Sequence, residues 1–374
     1  MEPSALETTT DNGATEQREV VVVGGGQAGL AIGYFLSEQG RDFVILEAAA
    51  APAAAWRERW DSLKLFTPVR YSSLPGLAFP GDPDSYPTRD DVVDYLTNYA
   101  QHFDLPVALD SRVRSIRRTN GAYRVETEDR SYAAEQVVVA TGPFQARFVP
   151  PIADQLAPEV AQLHSTAYRS PADLPQGRVL VVGGGNTGFQ IAEELATSRE
   201  VHLSVGSRQK PLPQRILGRD IFWYLEATGL IRKSRETRIG RRLEGRETLI
   251  GSKPSALRRR HGVKLHPRAV DASGSTVTFE DGTRLDVQGV LWATGFRPDY
   301  SWIGAGVFDE KGRVVHERGV TDAGGLYFLG LSWQHTRGSA LIGWVKDDAE
   351  HLSERISAFR SKVAATAAPP QPVA

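Results

Sequence analysis

Val20-Val21-Val22-Val23-Gly24-Gly25-Gly26-Gln27-Ala28-Gly29 is the stretch that decides the fold. Four consecutive β-branched residues suit a strand buried on both faces. Gly24, Gly26 and Gly29 follow in G-x-G-x-x-G spacing, and an apolar-periodic segment runs on through Leu30, Ile32, Phe35 and Leu36 to Gly40. Strand, tight turn and helix in that order open a dinucleotide-binding βαβ unit. Gly24 allows the turn, Gly26 lets the backbone approach a pyrophosphate, and Gly29 lets helix and strand pack closely. Gln27 and Ala28 lie where unpaired helix N–H groups point outward at the phosphates. The next strand, Phe43 to Leu46, ends in Glu47, followed by Ala48. A carboxylate there accepts from both hydroxyls of a ribose, which suits FAD or NAD and repels a 2′-phosphate. The plainer reading is a Gly-rich turn that binds nothing; the strand before, the helix after and the acid beyond argue against it.

The pattern returns about 160 residues further on, as Val179-Leu180-Val181-Val182-Gly183-Gly184-Gly185-Asn186-Thr187-Gly188. A helix through Ile191, Ala192, Leu195 and Ala196 and a strand from Val201 to Val205 follow. Two matches with full context mark an internal repeat. Glu47 lies 18 positions after Gly29, whereas the position 18 after Gly188 is Gly206, followed by Ser207-Arg208. The carboxylate is replaced by a hydroxyl and a guanidinium, the donors a 2′-phosphate needs. The second nucleotide therefore reads as NADPH, with a solvated surface arginine as the alternative for Arg208. Arg215 and Arg219 are nearby further candidates.

Ala140-Thr141-Gly142 is echoed by Ala293-Thr294-Gly295, and such echoes mark crossings between two nested domains. The expected fold class is α/β, with two Rossmann-like dinucleotide-binding domains of three layers (β, β and α), the NADP domain inserted in the FAD domain. Residues 18–165 form the first part of the FAD domain, 166–290 the NADP domain and 291–360 the closing part, with 1–17 and 361–374 as flexible tails. Between the domains' strands, 63–87 is irregular and proline-rich, and a long loop of this kind inside a domain is usually functional. Thr88 caps a helix with Asp90 and Asp91 in its first turn. A last helix is expected from about Ala340 to Arg360.

At 374 residues the chain has room for about two domains. Its 41% hydrophobic and 24% charged residues are those of a water-soluble globular protein. A net charge of −1 gives no reason to invoke nucleic acid or an anionic membrane. No cysteine is present, so disulfides, thiolate catalysis, Cys-based zinc sites and redox-active dithiols are excluded. No apolar run reaches bilayer length, and the start lacks a signal-peptide pattern, so the cytoplasm is expected. From Arg232 to Lys264, 12 Lys/Arg stand against 3 Asp/Glu, which reads as a solvated basic surface before it reads as a rim for NADPH or an acidic partner. No metal or Ser/His/Asp constellation emerges.

On these residues the chain resembles the flavin-containing monooxygenase-like flavoproteins, which carry two dinucleotide-binding folds. The resemblance covers roughly Arg18 to Arg360. It rests on both glycine turns, Trp56 to Leu65, Pro80 to Tyr95, Ala140-Thr141-Gly142, Leu163-His164-Ser165 with Tyr168-Arg169, Ala293-Thr294-Gly295-Phe296 and Gly325 to Trp344. It looks closest to a bacterial set of flavoproteins described in connection with cation transport. The resemblance implies FAD on the first turn and NADPH on the second. It also implies a flavin C4a-(hydro)peroxide that oxygenates a small organic substrate with molecular oxygen, by N- or S-oxygenation or Baeyer–Villiger insertion. Trp56, Arg57, Trp60, Thr141, Gly142, Thr294, Gly295, Gly330 and Leu331 fall on the cofactor side of that pattern. The fingerprint Phe-x-Gly-x-x-x-His survives only in its second half, because Pro158 and Val160 precede His164. Where heteroatom oxygenases place an Asn by the flavin stands Phe66, followed by Thr67, the candidate there.

Several single residues keep two readings. His164 either orients the linker or is a surface histidine; Trp56 lies against the nucleotide or in the core. Gln334, His335 and Arg337 either line the substrate pocket, the reading preferred here, or close the final turn. Two rivals to the monooxygenase remain open: an NADPH oxidase or reductase that passes electrons to O2, a quinone or a partner, and a redox-sensing nucleotide-binding protein. A homodimer is compatible with either.

Overall fold

The valine run is buried because both faces of its strand are covered. The computed structural model describes residues 15–119, 121–207, 210–244 and 248–367. The elements that position the site are β1 (Thr15–Val23), α1 (Gln27–Glu38), β2 (Phe43–Leu46), β3 (Ser131–Val139), β4 (Arg178–Val182), α2 (Asn186–Leu195), β5 (Glu200–Ser204), β6 (Gly289–Trp292), β7 (Leu326–Phe328) and α3 (Val345–Ala367). On one face of β1, Val20 and Val22 pack with Leu30 and Ile32 of α1 and with Val345 and Leu352 of α3. On the other, Val21 and Val23 pack with Tyr123, Val125 and Tyr132. Period-two alternation with apolar partners on both sides is what a three-layer unit requires of its central strand.

The parallel core of the first sheet runs Val107–Ala108, β2, β1, β3, β7. One edge of β3 lies along β1 for its whole length, and the other edge is shared. Val137–Val139 take β7 in parallel, whereas Ser131–Ala134 take Ala122–Glu126 antiparallel, with Ser115–Thr119 beyond. The second sheet, Lys264–His266, β5, β4, β6 and Ala161–His164, is parallel throughout. Its alternation repeats the first: Val179 and Val181 face Phe189, Ile191 and Leu195 of α2. Leu180 and Val182 face Val277, Phe279 and Leu285 of an antiparallel three-stranded sheet. The repeat seen in the glycine turns thus extends to whole layers.

The two crossings pair with each other, Ala146–Arg147 antiparallel to Phe296–Arg297. The Phe148 amide donates to the Gly295 carbonyl at 3.0 Å, and the Thr294 hydroxyl donates to the Phe148 carbonyl. These crossings lie near the expected boundaries at residues 165 and 290. Ala161–His164 belongs to the second sheet because β6 needs a partner on its outer edge, and β6 itself ends at Trp292. Two ends also differ from expectation. β1 reaches back to Thr15, into the tail expected over residues 1–17, because Thr15 to Arg18 pair with Ser131 to Ala134. α3 starts at Val345, not near Ala340: a Cβ on Gly343 would lie 1.9 Å from the Tyr71 carbonyl oxygen, so this stretch is a tight packing turn. Helix α3 continues to Ala367, past Arg360. Thr88 caps its helix as expected, in a reciprocal box with Asp91. Among the described residues, no helix is long and apolar enough to cross a membrane.

The second sheet also contains a proton-sensitive pair. His202 on β5 is buried, with Nδ1 at 2.7 Å from His266 Nε2 and Nε2 at 3.2 Å from Glu200 Oε1. Two neutral rings satisfy this chain, His266 Nε2–H donating to His202 and His202 Nε2–H to Glu200. Burial, the largest cause, lowers both histidine pKa values. A base whose folded pKa is depressed binds fewer protons folded than unfolded, so its stabilisation is full above the unfolded value of about 6.5 and is lost as pH falls below it. The thermal midpoint is expected to drop between about pH 7.5 and about pH 5.5, and less steeply in H202N. Identical slopes for both proteins in a melting series would contradict this.

Candidate functional site

Each glycine turn is built on the carbonyl of an Ala-Thr-Gly crossing. Gly24 has φ +113°, and a Cβ there would lie 2.6 Å from the Ala140 oxygen. Gly183 has φ +134°, and its Cβ would lie 2.1 Å from the Ala293 oxygen. The third glycine of each turn carries the helix: a Cβ on Gly29 would lie 1.8 Å from the Gly24 oxygen, and one on Gly188 2.0 Å from the Gly183 oxygen. Gly26 is different, since a Cβ there would meet nothing within 4 Å. The space in front of it is left open by the protein's own atoms. Gly26 and Gly185 are the N-cap residues of α1 and α2, and neither helix start has a side-chain cap. Uncapped helix N–H groups beside an open face form an anion site suited to a pyrophosphate.

Glu47 is buried, and its carboxylate is held by the backbone: Gly25 N–H donates to Oε2 at 2.9 Å and Ala49 N–H to Oε1 at 3.0 Å. Two fixed donors leave the remaining lone pairs directed and available. Ala48 is half-buried beside it, and Ala28 is buried in α1. The matching place in the second unit is set by register. Leu46 pairs with Val23 and Ser204 with Val182; the Glu47 amide donates to Ala108 as the Val205 amide donates to His266. Val205 is therefore the counterpart of Glu47, one residue before the Gly206 reached by counting, because the second unit has a shorter helix and reaches the end of its strand one residue sooner after the third glycine. The loss of the carboxylate stands. Ser207 is exposed at the end of this loop, and Arg208 lies outside the described residues.

The segment after β2 joins the two turns. Ala53 donates through its amide to the Gly25 oxygen, and the Trp56 indole N–H donates to Gln27 Oε1 at 2.9 Å. Trp56 is half-buried and packs at the rim of both cores. Further along, the Lys64 carbonyl accepts from Gln190 of α2 at 3.3 Å. Trp60 packs with Tyr168, Leu174 and Phe189 in the second unit's core and is 4% exposed, which assigns it to packing between units and corrects its placement at the cofactor. Arg57 is exposed and bonds Thr97. Arg215 reaches back to Tyr86 and the Asp84 carbonyl with two of its five N–H groups, and Asn186 bonds Thr248 and Ile250, so each ties distant segments together. Thr187 is half-buried at the α2 start.

Thr141 is exposed and accepts from Gln145, while Gly142 and Gly295 have φ of +69° and +81° at the crossings. His164 is buried, with Nε2 at 3.2 Å from the Gly295 oxygen and Nδ1 at 3.1 Å from Thr166 Oγ1. Burial is the largest cause of its lowered pKa, so the ring is a neutral staple of the crossing and not a surface histidine. Beyond β7, Gly330 (φ +83°) packs against Ala28, and the Leu331 amide donates to Gln334 Oε1 at 3.3 Å. Gln334, 1% exposed, also donates to the Arg318 carbonyl, so it closes the final turn and does not line a pocket. His335 lines a cavity of about 400 Å³ with His316, Arg318 and His351. Arg337 makes no hydrogen bond or ion pair among the described residues, and burial lowers its pKa. Thr67 is buried, its hydroxyl 3.2 Å from that of Ser72, and Phe66 stacks on Phe222 at 6.0 Å.

One residue near the second turn escaped the sequence. The Arg268 guanidinium donates to the Gly206 carbonyl at 2.9 Å, 62 residues on. No local spacing could reveal it, since the contact depends on which strand lies beside β5.

Comparison with known proteins places this geometry. Residues 21–215 match the family described as pyridine nucleotide-disulphide oxidoreductase. An uncharacterized CzcO-like oxidoreductase of Geobacillus kaustophilus is 46% identical over 89% of this chain and 97% of its own. An indole-3-pyruvate monooxygenase of Oryza sativa subsp. indica is 28% identical over 86% of this chain and 87% of its own. A flavin-containing monooxygenase structure from Stenotrophomonas maltophilia superposes with a TM-score of 0.79 at 31% identity, covering 92% of this chain and 100% of that one. The chain belongs to the pyridine nucleotide-disulphide oxidoreductase family, in the branch resembling flavin-containing monooxygenases, as a member without a cysteine and hence without the dithiol of the family's name.

Proposed function

We propose that this oxidoreductase is a monooxygenase that holds FAD at the first glycine turn and NADPH at the second, and oxygenates a small organic molecule with molecular oxygen. The observation that carries this reading is the pair of uncapped glycine turns of which only the first is followed by a carboxylate. The open face at Gly26 and the anchored Glu47 fit the pyrophosphate and ribose of FAD. Val205, Gly206 and Ser207 offer no carboxylate against a 2′-phosphate. The 31% identity to a flavin-containing monooxygenase over 92% of the chain supports the same reading.

When bound, FAD supplies the chemistry that links a nicotinamide hydride to dioxygen. The chain's own contribution is placement. The α1 and α2 amides bind phosphate oxygens, and Glu47 accepts from ribose hydroxyls. The Trp56–Gln27 bond fixes the loop above the first turn, and His164 holds the crossing that supports the second. Arg337, a desolvated cation without a counter-ion among the described residues, is the group that would meet negative charge in the site. Arg208 is assigned to the 2′-phosphate, so R208A should weaken NADPH by about 10-fold or more and NADH much less; equal loss for both, read as the ratio of kcat/KM values, would sink that assignment.

The test of the reaction is isotopic. Turnover of NADPH under labelled dioxygen with amine, sulfide and ketone substrates should give a product carrying one labelled oxygen atom. A second reading, an oxidase that releases hydrogen peroxide, draws on Phe66, whose ring stacks on Phe222 and donates no hydrogen bond where an amide would stand. Peroxide matching NADPH consumption, with no labelled product from any substrate class, would replace the monooxygenase with that oxidase.

A further inference from the structure

The chain leaves β5 at Ser204 and turns through Val205, Gly206 and Ser207, and a guanidinium from a different strand lies against that turn. Arg268 Nη2 donates to the Gly206 oxygen at 2.9 Å, and its Cζ, Nε and Nη2 each lie 3.3 Å from where a Cβ on Gly206 would project. Any side chain at 206 would push this group aside. Arg268 is exposed and makes no further side-chain hydrogen bond or ion pair among the described residues. One of its five N–H donors is committed and the rest are available.

Its backbone is fixed on both sides. The Ser204 hydroxyl donates to the Pro267 carbonyl at 2.8 Å and accepts from the Ala269 amide at 3.0 Å, one residue either side of Arg268. The Arg268 carbonyl accepts from the Glu280 amide at 2.8 Å. The end of β5 thus dictates where the arginine starts, and Gly206 dictates where its head group rests. At the corresponding place after β2 stands Glu47; here Val205 is uncharged and a cation flanks the loop.

We infer that Arg268 is a specificity-determining residue that binds the 2′-phosphate of the second nucleotide. This rests on the reading that the second turn takes NADPH. A planar guanidinium presents paired N–H donors to a phosphate, and such charge-assisted bonds are stronger than neutral ones. The Gly206 bond orients the plane before the nucleotide arrives, so less side-chain freedom is lost on binding.

The experiment is calorimetric titration of the purified full-length protein with adenosine 2′,5′-bisphosphate and, separately, adenosine 5′-monophosphate. Wild type should prefer the bisphosphate. R268A should lose about 10- to 100-fold in affinity for the bisphosphate, with a change of less than about 3-fold for the monophosphate. R268K should retain part of the preference, because it keeps the charge without the fork. A bisphosphate preference that survives R268A, or an equal loss for both ligands, would overturn the role of Arg268 and leave the NADPH reading in place. A wild type with no preference would overturn that reading and this inference with it.

Discussion

G29A is expected to purify without bound flavin. A Cβ at position 29 would lie 1.8 Å from the Gly24 carbonyl oxygen, and that oxygen cannot retreat, because Gly24 itself packs on the Ala140 carbonyl. The start of α1 must move instead, carrying its uncapped amides away from the pyrophosphate they are proposed to bind. Overpacking of this severity costs about 3 kcal/mol or more, equivalent to at least about 100-fold in affinity. The check is flavin absorbance per protein after purification, with far-ultraviolet circular dichroism to establish that the chain is folded. Folded G29A protein with full flavin content would show that the first turn is not where the flavin is held.

G188A should behave oppositely. Its Cβ would lie 2.0 Å from the Gly183 oxygen, which is backed by the Ala293 carbonyl in the same way. The displaced element is now α2, while the first turn, Glu47 and Trp56 are untouched. The protein should remain yellow, and NADPH should reduce its flavin at least about 100-fold more slowly at equal concentration, by the same overpacking cost. Rapid-mixing absorbance measures this directly. Loss of flavin from G188A, or normal reduction by NADPH, would contradict the division of labour between the turns.

What the sequence made legible is what backbone geometry alone dictates. Gly24, Gly29, Gly183 and Gly188 can be read because no other residue fits those contacts, and the valine runs because a strand covered on both faces has no polar position to spare. Glu47 is legible because it follows its strand directly. The residues that resisted are those whose meaning comes from distant partners. Trp60 reads like a cofactor-facing aromatic until the second unit's core closes around it. Gln334 sits beside candidate pocket residues, yet both ends of its amide are used on Leu331 and Arg318. Asn186 and Arg215 look like nucleotide donors, and the sequence does not show that part of each side chain also holds a distant segment, Ile250 and Tyr86. Arg268 was invisible for the same reason, and a shorter second helix shifted the Glu47 counterpart from Gly206 to Val205.

The most direct test of the central claim is anaerobic rapid mixing of the purified protein with NADPH or NADH while flavin absorbance is followed. Two nucleotides held by twin turns, the second set up for a 2′-phosphate, predict a yellow protein whose flavin bleaches at least about 10-fold faster at equal concentration with NADPH than with NADH. A colourless protein that takes up no FAD, or a flavin that neither nucleotide reduces, would contradict it.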